Sequence, residues 1–326
     1  MNRVLGLILA CALAAAGCQQ SETGPGNAQG AADAARTEVA FVTNNASDFW
    51  KIAQAGTEAA AEDSGVDVLF RIPPNGTAQE QQQILEDLIA KGVDGVAISP
   101  NDPENWTDIL NEFAEQVPIV TQDSDAPQSN RACYIGTNNY EAGVAAGELI
   151  KETLPEGGEI MLFVGTMDAQ NAQDRKRGIE ETLEGSGITI IDTRTDDVDR
   201  ARAVANVEDA LVTHPELDAC VGLWSYNGPA ILQAVSSADK LGEIAIVSFD
   251  EESDVLRGIK DGHVAGTIVQ QPYEFGYRSV KLLTELAQGD TSSIPEDKQM
   301  FVPVKTITQE NVDDFWAELK RLTGKT

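Results

Sequence analysis

From Glu38 onward, short runs rich in aliphatic and β-branched residues alternate with segments of helical periodicity, at spacings of roughly 20 to 30 residues. That alternation restricts the chain to βαβ units, and so to parallel sheets with helices on their faces. Strands are expected at VAFVTN, VDVLFRI, GVAISP, PIVTQD and CYIGT, with helices between them. Residues 49–63 carry apolar positions at helical spacing, and Thr77 caps a second helix that Gly92 stops after Lys91. A second series begins near Tyr140. Its helices are expected at 140–153, 172–183, 200–212, 229–239, 253–260 and 273–287, and its strands at EIMLFVG, ITIIDT, DACVGLW, EIAIVSFD, VAGTIVQ and FVPVKTI, with a last helix near 312–322. No linker rich in Pro, Gly or Ser separates the two series. The expected fold is therefore α/β, with two doubly wound parallel-sheet, Rossmann-like lobes joined by several chain crossings.

Ahead of these units, Arg3 precedes an apolar run over residues 4–16, then Gly17 and Cys18. This reads as a secretory signal, too short for a membrane span. The segment AAGC at 15–18 resembles the bacterial lipobox, with Ala15 where Leu is commonest; it implies cleavage after residue 17 and a diacylated Cys18. A plain signal peptide with an incidental cysteine is the alternative. Residues 18–37 have the Gly, Ala, Ser and Gln composition of a flexible tether. The expectation is an exported protein, in the periplasm or at the cell surface, anchored to a membrane only through lipid on Cys18. Roughly 290 residues remain after the tether, more than one core usually serves.

The net charge of -30 argues against a nucleic-acid partner, which needs clustered Lys and Arg. Cys133 and Cys220 sit in apolar strand-like runs and read as small buried hydrophobes rather than a disulfide. Polar side chains end several strands. Asp250 closes EIAIVSFD and Gln270 closes VAGTIVQ, with one short helix between them. In an open parallel α/β sheet the ligand crevice lies just outside the carboxyl ends of the strands, so such groups are aimed at ligand. A carboxylate and an amide placed there suit hydroxyl recognition.

Taken together and in order, NNASDFWKIAQAG, VDGVAISP, PIVTQDSDAP, YIGTNNYEAG, NAQDRKRG, DVDRARAVANVEDALVTHPELDA and IVSFD to TIVQQP resemble the type I periplasmic binding proteins of the ribose, galactose and xylose group, the capture components of sugar ABC importers. The likeness runs from Glu38 to the C-terminus. It implies two similar lobes joined by three hinge crossings, near Thr137, Gln270 and Phe301. Residues 38–137 with 271–300 form one lobe, and 138–270 with 301–326 the other. The partners it implies are a small-molecule sugar and an ABC permease, for a monomer without cofactor, metal or catalysis.

The resemblance also assigns a site. Phe49 and Trp50 match stacking aromatics for the apolar face of a sugar, with packing under the first helix as the plainer role. Asp123, ending PIVTQD, and Asp250 match carboxylates that accept bonds from sugar hydroxyls; a helix N-cap is the alternative for each. Arg175 matches an arginine that reaches the ring oxygen and hydroxyls, whereas Arg177 should face elsewhere. Asn171, which can cap the helix carrying Arg175 or contact ligand, joins Thr137 and the strand-end Gln270 in the expected polar set. Ser47 stands where ribose binders have Asn, Ser124 where they have Arg, and Val198 replaces a covering aromatic. Trp224 aligns with a sugar-binding Asn, a role Asn227 takes if the turn is shifted. These departures argue against ribose, because lost polar partners are lost hydroxyl recognition. They suggest a pyranose-like pentose or hexose held between Trp50 and Trp224.

Three rivals follow from the same residues. A glycosidase using Asp123 and Asp250 is conceivable, but G-x-S-x-G, a P-loop and G-x-G-x-x-G are missing, and the two histidines, His214 and His263, lie far apart. A repressor of the lactose type needs a basic DNA-binding headpiece where this chain has an export signal. A sensor that presents a sugar, an inositol or a furanosyl signal to a receptor kinase shares the fold and stays open.

Overall fold

The apolar runs at the centre of each sheet become strands buried along their length, as parallel strands covered by helices on both faces must be, while the edge strands are only partly buried. The computed structural model describes residues 36–324 apart from Glu104. The export signal, Cys18 and the tether up to Ala35 lie outside the described residues.

The first series is β1 (Glu38–Val42), α1 (Asp48–Ser64), β2 (Asp67–Arg71), α2 (Ala78–Lys91), β3 (Gly95–Ile98), α3 (Thr107–Ala114), β4 (Ile119–Gln122) and β5 (Cys133–Gly136). The second is α4 (Asn139–Thr153), β6 (Gly158–Val164), α5 (Gln170–Leu183), β7 (Ile188–Thr195), α6 (Arg200–Thr213), β8 (Ala219–Gly222), α7 (Asn227–Ser237), β9 (Ala245–Phe249), α8 (Ser253–Lys260) and β10 (Gly266–Val269). After these come α9 (Pro272–Ala287), β11 (Gln299–Phe301), β12 (Lys305–Ile307) and α10 (Val312–Thr323). Local signals set the boundaries. Thr77 and Glu80 form a reciprocal capping box on α2, and Gly92 ends that helix at φ 83°.

Two six-stranded sheets result, ordered β11-β5-β4-β3-β1-β2 and β12-β10-β9-β8-β6-β7. The first is parallel throughout, and in the second only β12 runs antiparallel. Each sheet has hydrophobic clusters on both faces. The chain passes between the sheets after β5, after β10 and between β11 and β12. The run FVPVKTI, expected as one strand, is divided between the two sheets. Pro303 lacks the N–H a ladder needs, so pairing stops there and resumes in the other sheet at Lys305.

The lobes are two versions of one plan. Asp123 N–H donates to Ile135 O at 3.1 Å, and Asp250 N–H to Ile268 O at 2.9 Å. Register therefore pairs Thr137, just past β5, with Gln270, just past β10. The helix that follows each strand crosses a partner at glycine. A Cβ on Gly276 of α9 would lie 2.1 Å from Ala53 O of α1, and one on Gly56 of α1 2.0 Å from Tyr273 O. In the other lobe a Cβ on Gly143 of α4 would lie 2.1 Å from Arg175 O of α5, and one on Gly178 2.2 Å from Tyr140 O. Backbone occupies these spaces and cannot rotate away. Gly276→Ala and Gly178→Ala are each expected to cost about 1–3 kcal/mol, read as a lower urea midpoint at constant slope; an unchanged midpoint would refute the close crossing.

Candidate ligand-binding site

Asp123 and Asp250 follow β4 and β9 with φ of 61° and 65°, in the left-handed region. Aspartate enters that region more readily than most residues, yet at a cost that the surroundings must impose. Here they do. Tyr134 Oη donates to Asp123 O at 2.9 Å, and Thr267 Oγ1 donates to Asp250 O at 2.7 Å. The chain thus turns sharply at both strand tips and presents both carboxyl groups to the cleft between the sheets, where they line its cavities. Neither aspartate caps a helix, since α8 has Glu252 at its N-cap and no helix starts beside Asp123.

A polar web surrounds each carboxylate. Asp123 Oδ2 accepts from Ser99 Oγ at 2.8 Å and from Asn44 Nδ2 at 3.3 Å. Asn44 Oδ1 in turn accepts from the Trp50 indole N–H at 3.0 Å. Gln81 of α2 braces this corner, donating to Thr43 O at 2.8 Å and Ser99 O at 2.7 Å. In the second lobe Gln270 Nε2 donates to Asp250 Oδ1 at 3.1 Å, while its Oε1 accepts from Thr137 Oγ1 at 2.8 Å. The equivalent residues of the two crossings are therefore bonded to each other.

Arg175 is the buried cation of the cleft, 3% exposed. Its Nε donates to Asn139 Oδ1 at 3.0 Å and Nη1 to Leu223 O at 2.6 Å, and its guanidinium lies 4.5 Å from the Phe249 ring centroid. Burial pushes Asp123 up to about 6, with the charge of Asp250 adding to the rise and Ser99 and Arg175 opposing it. Burial likewise raises Asp250 against the pull of Arg175 and Gln270. Burial lowers Arg175, and the two aspartates counter it. Glu251 is pushed up to about 8 by burial and by neighbouring Asp250, and its Oε2 has no hydrogen-bond partner.

Two cavities, of about 950 and 810 Å³, share Asn44, Asp123 and Gln270. The larger gathers Ser124, Thr137, Asn171 and Arg175 from the expected set; the smaller gathers Ser47, Phe49, Trp50 and Asp250. Trp224 and Asn227 line neither cavity. The expected sandwich of Trp50 and Trp224 is not formed. Trp50 is 2% exposed, edge-on to Phe41 and Phe49, and Trp224 gives its indole N–H to Asn171 Oδ1 at 3.1 Å. Indole N–H groups drawn away from water need acceptors, and buried Trp50 and half-buried Trp224 both find them within their own lobe. Half-buried Phe49 is the more open first-lobe aromatic. Asn227 is committed as well, donating to Asp196 Oδ2 and accepting from Trp224 N–H. Arg177 is exposed and lies over the Tyr140 ring.

Sequence reasoning missed Asn44, Ser99, Asn139 and Glu251, and also Trp316 and Lys320 of α10, which line the smaller cavity. Asn44 and Ser99 carried the signal already used for Asp123, a polar residue at the end of an apolar strand. Nothing local marked the α10 residues.

Comparison with known proteins accords with this architecture. Residues 39–291 match the periplasmic binding protein domain family. A ribose import binding protein of Bacillus subtilis (strain 168) is 27% identical over 263 residues, 80% of this chain and 84% of that one. The D-allose-binding periplasmic protein of Escherichia coli (strain K12) is 26% identical over 276 residues, 81% and 88% of the two chains. Among solved structures, an ABC transporter solute binding protein from Burkholderia graminis in complex with D-arabinose superposes with a TM-score of 0.76 at 33% identity, covering 84% of this chain and 96% of that one. A sugar-binding protein of a sugar ABC transporter from Bacillus halodurans gives 0.80 at 30% identity, covering 86% and 100%. The chain belongs to the periplasmic binding protein family, in the type I group that includes these sugar-binding relatives.

The folded protein keeps the Glu251 proton up to about pH 8, whereas the unfolded chain releases it near the ordinary value of 4.5. Folded protein binds more protons across that window, so the stability due to this group is greatest below it and is lost as pH rises through about 8. Glu251→Gln is expected to raise the ligand-free melting temperature at pH 8 and to flatten its fall from pH 5 to pH 8; an unaltered slope would show that Glu251 is not buried.

Proposed function

We propose that this protein is the lipid-anchored capture subunit of an ABC importer and closes its two lobes on a monosaccharide, a pyranose-like pentose or hexose other than ribose. The observation that carries this is the convergence of Asp123 from one lobe and Asp250 from the other on a cleft with Arg175 buried beside them. Sugar hydroxyls are donors, and two half-buried carboxylates have acceptor sites beyond those filled by Ser99, Asn44 and Gln270; charge-assisted bonds of this kind contribute about 1.5–3 kcal/mol each. Arg175 and Gln270 supply the matching donors, and Phe49 supplies an apolar plane for the C–H face. Ser47 and Ser124 are too short to reproduce the longer polar contacts of ribose binders, which supports another sugar. The relatives that bind D-arabinose and D-allose bracket the class.

Mechanistically, neither lobe alone completes the hydrogen bonding of a bound ring, so ligand favours the arrangement in which both sets of groups reach it. Gln270 links recognition to closure, because one end of its amide holds Asp250 and the other holds Thr137 at the first crossing. The closed, loaded lobes are what a permease reads. On this reading the site binds sugar and releases it unchanged.

A thermal-shift panel of pentoses, hexoses, polyols and inositols tests the ligand class. The true ligand at about 100 times its Kd is expected to stabilise the fold by about 2.7 kcal/mol, and Asp250→Ala to abolish that shift. No response to any sugar would end this reading. Ionised carboxylates accept hydroxyl bonds, so affinity should weaken as pH falls through about 6, where Asp123 gains its proton. The anchor is tested separately: Cys18→Ser should leave the protein exported but released from membranes, and continued membrane association would rule out lipid on Cys18.

A further inference from the structure

One buried carboxylate that lines neither cavity ties together the second lobe's side of the cleft. Asp196, just past β7, is 1% exposed. Its Oδ1 accepts from the Tyr226 hydroxyl and from Val198 N–H at 2.9 Å, and its Oδ2 accepts from Asn227 Nδ2 at 3.0 Å. Asp197 and Val198 follow at φ of 53° and 64°. A β-branched residue is a costly occupant of the left-handed region, and Val198 is 61% exposed, so packing does not hold it there. The bond from its N–H to Asp196 does.

From this carboxylate two lines of contact reach the cleft. Along the first, Tyr226 carries the Arg200 guanidinium 5.3 Å above its ring, and Arg200 lines the smaller cavity with Asp250 and Glu251. Along the second, Asn227 Oδ1 accepts from Trp224 N–H at 3.1 Å, and the Trp224 indole donates to Asn171 at 3.1 Å. Leu223 O, one residue back, accepts from Arg175 at 2.6 Å. Asn171 and Arg175 both line the larger cavity. One side chain thereby joins the segments after β7 and β8, and through Trp224 and its neighbour Leu223 reaches Asn171 and Arg175 of α5.

We propose that Asp196 is a positioning residue for ligand capture: it sets Arg200 on one side of the cleft and Asn171 with Arg175 on the other before ligand arrives. Affinity then depends on a carboxylate that no ligand touches, because a prearranged face spares the ordering cost of binding. The inference rests on the proposed sugar-binding role of the cleft. Networks of this kind fail together when one member changes: an amide at position 196 keeps one acceptor oxygen but sets an NH2 against Asn227 Nδ2 or the Tyr226 hydroxyl, leaving a buried donor unsatisfied.

The test uses full-length protein labelled with 5-fluorotryptophan, its Trp224 resonance assigned by Trp224→Phe, and calorimetric titration with whichever sugar gives the thermal shift. Asp196→Asn is expected to move the Trp224 resonance in ligand-free protein and to raise Kd roughly tenfold. In an Asn171→Ala background the same substitution should cost much less, because the two act through one path. An unmoved resonance, an unchanged Kd, or equal losses in both backgrounds would each overturn the proposal. Should Asp196→Asn not fold, Tyr226→Phe removes a single bond and carries the same readings with a smaller shift. Wild-type protein that binds no sugar would sink the functional reading, and the ligand-free resonance would still decide whether Asp196 positions this face.

Discussion

Asp123 and Asp250 bring like charges to one half-buried cleft, and the arrangement is eased by Arg175, buried beside both, together with the hydrogen bonds from Ser99 and Gln270. Burial pushes all three toward their neutral forms; Arg175 opposes this at both carboxylates, the carboxylates oppose it at Arg175, and the charge of Asp250 adds to the rise at Asp123. Arg175 must therefore be placed firmly. Phe249 lies under it, Leu223 O and Asn139 take two of its nitrogens, and its own backbone carbonyl abuts Gly143 of α4. A glycine crossing that looks like simple helix packing thus fixes how near the cation stands to the carboxylates. Packing, backbone conformation and charge meet at one residue.

The same strand-tip device is used twice, but the lobes differ in what supports it. The residue before Asp250 is Phe249, whose ring carries Arg175. The residue before Asp123 is Gln122, fully buried, donating to Val42 O at 3.3 Å and leaving its Oε1 unpartnered. One lobe spends that position on holding a cation, the other on bracing a neighbouring strand. The second lobe consequently carries the guanidinium, and the first carries the denser set of neutral donors, Ser99 and Asn44, around its carboxylate. Complementary halves of this sort need each other to complete a polar site.

Periodicity made most of the fold legible, because fully buried strands and glycine-stopped helices leave local marks such as the Thr77 capping box and Gly92. FVPVKTI was misread as one strand because its apolar pattern is continuous, while the change of sheet depends on a missing N–H at Pro303 and on partners distant in sequence. Strand-tip logic found Asp123, Asp250 and Gln270, and applied evenly it also selects Asn44 and Ser99. The direction of a large side chain was not legible. Trp50 still lines the smaller cavity but is nearly buried, and Trp224 lines neither; each gives its indole N–H to an amide oxygen, Asn44 or Asn171, and the second of these is near only in the folded chain. Asp196 was invisible for the same reason: Tyr226 and Asn227 lie thirty and thirty-one residues away.

The cleft is bounded by more than the three crossings. Helix α10 packs on the second lobe's core through Phe315, Trp316 and Leu319, and Gln309 ahead of it donates to Lys260 O of α8 at 3.1 Å. The same helix also meets α1 of the first lobe, and its Trp316, Leu319 and Lys320 line the smaller cavity beside Phe49. Any separation of the lobes must part α10 from α1 while β11 and β12 stay in their own sheets. The segment between those two strands contains Pro303, with its fixed φ, so much of the torsional change is left to the other two crossings. There Thr137 and Gln270 are bonded to each other, and Gln270 is bonded to Asp250. If the lobes close on ligand as proposed, movement at the joint and occupancy of the site act on the same amide, and a ligand in this cleft would be felt there as a change in the angle between lobes.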